Sequence, residues 1–131
     1  HKGWDKDSPG YAARISIAHN VSAVTAACLM MSRNVFLEVG GLDEGFAVAF
    51  NDIDLCMRIR EAGYLIVYTP YAQLYHYESK SRGYEDTPVK KKRFIGEVVK
   101  FQERWNKVLK HGDPYYNRNL TLKSEDFSLK T

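Results

Sequence analysis

Asn51, Asp52, Ile53 and Asp54 form an acidic tetrapeptide at the head of a helix-like pattern, and these residues offer the clearest chemistry in the chain. Leu55, Cys56 and Ile59 give the pattern its apolar stripe, and Gly63 ends it. Carboxylates two positions apart on a helix point to different sides, so Asp52 and Asp54 do not face one ligand together. At a helix start the backbone N–H groups are free and the dipole favours negative charge. An aspartate there stays ionised with fixed geometry, which suits a general base taking a proton from an attacking hydroxyl. Plain capping is the competing role, with Asn51 as N-cap and Asp54 at the third helical position in a capping-box-like pair. Local sequence favours capping for Asp54 and leaves both roles open for Asp52.

A second group follows in Leu74-Tyr75-His76-Tyr77-Glu78-Ser79, at the end of a short predicted strand over residues 72–77. A neutral imidazole at His76 can ligate a divalent cation, and Ser79 and Arg82 can donate hydrogen bonds to phosphate oxygens. A histidine beside tyrosines is also an ordinary structural residue. Asp5-Lys6-Asp7 has the spacing of a metal-binding acidic pair, but its turn-rich polar setting gives that reading little weight.

Several elements must position these groups. Residues 21–31 are small and apolar and predict a strand buried on both faces. Ser32 then caps a short helix whose stripe is Val35, Phe36 and Val39, and Gly40-Gly41 stops it. A loop over residues 42–50 carries Asp43 and Glu44, and residues 65–69 predict a strand closed by Pro70. Beyond Pro88, the apolar residues Phe94, Val98, Phe101, Trp105 and Val108 recur three or four apart and share one face of a helix over residues 88–111. Residues 1–20 read as an irregular lead-in and 112–131 as an irregular tail, within a single α/β domain spanning 1–131.

Bulk properties exclude several classes. At 131 residues the chain fits one compact domain. Its net charge of +3 is too small to argue for nucleic acid, and no aromatic platform surrounds the one dense basic run, Lys90-Lys91-Lys92-Arg93. That run reads as a solvated helix start, with contact to an anionic membrane surface as the alternative. Two cysteines, Cys28 and Cys56, with no CxxC pair, suggest neither a disulfide framework nor a thiolate zinc site, and imply a reducing, cytoplasmic setting. No apolar run reaches the ~18 residues a membrane span requires, and no signal-peptide pattern is visible. The sequence opens at His1 without an initiator Met, which fits a piece of something longer.

Taken in order, residues 24–31, 39–46 and 51–58, then Gly63-Tyr64 and residues 75–79, resemble the C-terminal half of inverting family 2 glycosyltransferases with the GT-A fold. The resemblance covers residues 20–120 and leans toward members that build bacterial surface polysaccharides, including rhamnosyltransferase-like ones. It implies a partial GT-A fold: the acceptor-side half, with a mixed sheet and flanking helices. It also implies that Asp52 is the catalytic base, with Asn51 standing where an acidic residue is usual. The segment from Gly40 to Glu44, including Gly41 and Asp43, would lie under the acceptor and donor sugars. His76 would belong to the metal or diphosphate site, and Ser79 and Arg82 to substrate binding. The implied cofactor is a divalent cation, Mg²⁺ or Mn²⁺, held partly by residues outside this chain and not stably by this chain alone. Gln102-Glu103-Arg104-Trp105 is one residue short of the Gln-x-x-Arg-Trp of processive synthases, so Trp105 is expected in the core.

The leading expectation is thus a glycosyltransferase piece, inactive alone, whose partners are a nucleotide-sugar donor and a saccharide acceptor. It would work in the cytoplasm or at the inner face of the cell membrane. The alternative is a non-catalytic carbohydrate- or protein-binding module that keeps the half-fold, and calorimetric titration with nucleotide-sugar and cation separates the two. Because the 21–31 strand would lack neighbours, a homodimer or swapped oligomer is also expected.

Overall fold

A computed structural model describes residues 5, 7–75, 87–124 and 126–130. They form an α/β arrangement: β1 (His19–Val21), α1 (Arg33–Glu38), α2 (Asn51–Glu61), β2 (Ile66–Tyr68) and α3 (Pro88–His111), with single 3-10 turns at Tyr11–Ala13 and Ala26–Cys28. The expectation of a mixed sheet is corrected. Among the described residues the sheet is two-stranded and antiparallel, with His19 opposite Tyr68, Asn20 opposite Val67 and Val21 opposite Ile66.

The predicted strand over residues 21–31 is also corrected, since only Val21 pairs. Thr25 breaks it: its hydroxyl accepts the Ala27 N–H at 3.3 Å and caps the 3-10 turn, leaving Cys28 exposed. Residues 72–75 form no strand either. Past Pro70 the chain turns on local bonds, from Tyr71 N to the Thr69 hydroxyl (3.4 Å) and from the Gln73 amide to the Pro70 carbonyl (3.2 Å). Residues 76 and 77 of that predicted strand lie outside the described residues.

Ser32 caps α1 by accepting the Val35 N–H at 3.2 Å, and Thr87 caps α3 by accepting the Lys90 N–H at 3.3 Å, with Pro88 at the first helical position. Helix α2 is buried between two apolar clusters. Leu55, Cys56 and Ile59 pack with Ile66 against Val21, Val24, Phe36 and their neighbours. On its other side, Ile53 and Met57 meet Phe46, Phe101 and Trp105. The tail folds back on the opening segment: Tyr11 stacks on Phe127 at 4.9 Å, and Arg14 donates to the Tyr115 carbonyl at 2.9 Å.

Candidate active site

The first turn of α2 sets the geometry around Asp52. Its N-cap is Phe50, a left-handed residue (φ 65°) with no side-chain cap, so Asn51 is already helical. A non-glycine residue pays for that conformation, and here the Phe50 ring stacks on Phe101 at 4.8 Å and Phe94 at 6.0 Å. Asp52 Oδ1 accepts the Ile53 N–H at 2.9 Å, and its Oδ2 accepts the Ala26 N–H at 3.0 Å. The second bond joins α2 to the 3-10 turn that Thr25 caps. Each oxygen keeps a free lone pair, so this half-buried carboxylate is fixed by two backbone donors and can still accept an incoming O–H.

Asp54 does not cap the helix, against the capping-box expectation. It is fully buried and binds three side-chain donors: Arg58 Nε at 2.8 Å, Arg104 at 2.8 Å and Trp105 Nε1 at 2.9 Å. Three such donors, two of them charged, outweigh a single backbone N–H. Arg58 also donates to the Val39 carbonyl and, at 2.7 Å, to the Gly41 carbonyl. Arg104 reaches Asp43 Oδ2 at 2.6 Å with its other terminal nitrogen. The two arginines thereby tie α2, α3 and the 39–46 loop into one unit.

Within that loop, Gly41 is buried at φ +67°, where a Cβ would sit 3.2 Å from the Phe36 ring. Asp43 is occupied by Gly45 N (2.7 Å), Arg104 and Lys100 (3.3 Å). The Gly45 N–H and then the Arg104 guanidinium hold its pKa down at about 2. Glu44 is exposed and Asn51 half-buried beside Asp52. Glu97, buried on α3, accepts the Val48 and Ala49 N–H groups at 3.1 and 3.0 Å and fixes the approach to Phe50. Burial pushes the Cys56 thiol pKa up, with the Asp52 charge adding to the shift.

Asp52, Asn51, Gly41, Asp43 and Glu44 therefore belong to α2 and the loop lashed to it. His76, Ser79 and Arg82 lie outside the described residues. Among the described residues no group of three or more His, Cys, Asp or Glu could hold a metal ion. Sequence reasoning missed Arg58, Glu97, Lys100 and Arg104. The Asp54–Arg58 spacing of four was a usable signal for an ion pair on one helix, whereas the fifty-residue reach from Arg104 to Asp54 had none. A cavity of about 320 Å³ opens between the lead-in, the sheet and the tail, lined in part by Arg14, His19, Val24, Tyr68 and Phe127.

The chain is 50% identical over its whole length to an uncharacterized protein, y4gI, of Sinorhizobium fredii, and spans 14% of that protein. It is 33% identical over 118 residues (85% of the chain, 8% of the relative) to the O-antigen biosynthesis protein RfbC of Myxococcus xanthus. It is 38% identical over 63 residues (48% of the chain, 20% of the relative) to the N-acetylglucosaminyl-diphospho-decaprenol L-rhamnosyltransferase of Mycobacterium tuberculosis. The chain thus spans a fifth or less of each of these relatives. No protein-family model matches it, and no solved structure matches it significantly.

Proposed function

We propose that this chain is the acceptor-side part of an inverting, family 2-like glycosyltransferase with a partial GT-A fold, acting in cell-surface polysaccharide synthesis. The names of two relatives support the class, one in O-antigen biosynthesis and one a rhamnosyltransferase. The observation that carries the chemistry is Asp52, held by the Ala26 and Ile53 N–H groups with a lone pair open on each oxygen.

In this reading an acceptor hydroxyl donates its hydrogen bond to Asp52. As the hydroxyl oxygen attacks the anomeric carbon of a nucleotide-sugar, its proton passes to the carboxylate. The bond to the nucleoside diphosphate breaks on the opposite side, and the centre inverts. Backbone donors on both oxygens keep the base from rotating away as it is protonated. In this reading exposed Glu44 and half-buried Asn51 bind sugar hydroxyls, and Gly41 lets the loop pass close to the Phe36 ring. Asp43, engaged by three donors, serves that loop by holding it to α3. His76, Ser79 and Arg82 remain the proposed cation and phosphate contacts. The divalent cation implied by the resemblance would offset charge on the leaving diphosphate, and the described residues do not by themselves form a site for it.

Asp52→Asn in the intact protein should reduce transfer by about 10²-fold or more, the usual share of a positioned base, while nucleotide-sugar binding measured by calorimetry stays unchanged. Near-normal turnover in that variant removes Asp52 from the mechanism.

A further inference from the structure

Helix α3 buries one face through Glu97, Phe101 and Trp105. Its first three turns carry a second apolar row on the opposite side, where Ile95 is 61% and Val99 46% exposed, with Val89 80% exposed at the helix start. Lys91 and Lys92 are exposed alongside this row, whereas Lys90 and Arg93 are half-buried toward the inner side, where Arg93 pairs with Glu97 at 3.8 Å. Between residues 87 and 102 no acidic side chain is exposed, because Glu97 points inward to the 47–50 loop. Gly96 sits on the exposed side with nothing within 4 Å of where its Cβ would be. Internal packing therefore does not require a glycine at this place, although glycine weakens a helix relative to alanine.

We propose that this outer face of α3 docks on an anionic membrane surface, lying parallel to it with Ile95 and Val99 entering the headgroup layer and Lys91 and Lys92 at the phosphates. An apolar row bordered by lysines is the pattern of interfacial helices, and anionic leaflets attract such clusters. Charge complementarity selects this occupant over a second copy of the chain. A second copy presents at this face the same two exposed lysines, Lys91 and Lys92, and one exposed acid, Glu103. No helix among the described residues is long and apolar enough to cross a membrane, so the contact would be peripheral. It stands whether or not Asp52 is the base.

The test is flotation of the chain with phosphatidylcholine vesicles and with two-to-one phosphatidylcholine–phosphatidylglycerol vesicles, at low and high salt. Salt-sensitive binding to the anionic vesicles alone is expected. Lys91→Glu with Lys92→Glu should weaken it roughly tenfold or more, and Ile95→Ser with Val99→Ser should weaken it several-fold. The control pair Lys123→Glu with Lys130→Glu, in the exposed tail, makes the same charge change and should leave binding close to that of the parent chain. Circular dichroism shows each variant to be folded before it is scored. Absence of binding, insensitivity to either α3 pair, or an equal loss in the tail pair overturns the proposal.

Discussion

Asp43 and Asp52 are both aspartates in the loop-and-helix unit, yet their surroundings give them different work. Asp43 accepts from one backbone N–H and two cationic side chains, whereas Asp52 accepts from backbone N–H groups alone. With its pKa at about 2 in the fold against an ordinary 3.8, Asp43 binds fewer protons folded than unfolded in acid. Its contribution to stability is complete above about pH 4 and is lost as the pH falls toward 2. In Asp43→Asn, urea midpoints measured across that window should fall less steeply than in the parent chain. Some slope should persist, because Asp126, held by the Ser124 and Ser128 groups, is also lowered to about 2.

Helix α2 shows what an element contributes beyond its own hydrogen bonds. Beside the apolar packing of Ile53 and Met57, its hydrogen bonds to α3 pass through Asp54, and breaking a buried ion pair by removing one partner costs about 3–5 kcal/mol. Asp54→Ala should therefore lower the denaturation free energy by roughly that amount, read from urea curves with an unchanged slope. A change under 1 kcal/mol would show that Arg58 and Arg104 find other acceptors. The extents of α2 and α3 were legible because each has an apolar stripe at helical spacing and a stopping glycine, Gly63 or Gly112. Of the sheet, β2 was legible within the predicted 65–69 strand, whereas its antiparallel partner β1 was not. An apolar run such as 21–31 reads as a buried strand whether or not a partner exists, and the hydrogen bonds of Thr25 and Ala26 decide otherwise. In the candidate site Asp52 was legible as a helix-start acid. The role of Asp54 was hidden, because its partners Arg104 and Trp105 come from a helix fifty residues away.

At the scale of the molecule, the two-stranded sheet has an open edge on each strand among the described residues, and Leu65 and Val67 stand 63% and 55% exposed along β2. Tyr71, Leu74 and Tyr75 continue this exposed apolar surface beyond the strand. Such surfaces invite pairing, so self-association into a dimer is expected at tens of micromolar, and a monodisperse monomer by light scattering would refute it. This surface and the outer face of α3 are built from different residues, so the two associations are separable by substitution. The left-handed Phe50 also leaves a mark on which sequences this fold accepts. Most stacked aromatics tolerate other large apolar residues and reject small flexible ones. At position 50 the backbone reverses part of that order. Valine and isoleucine, apolar but β-branched, are the poorest replacements, while glycine and asparagine recover in backbone ease some of what they lose in ring contact. The residue before the helix that carries Asp52 is thus chosen by its backbone angle as much as by its side chain.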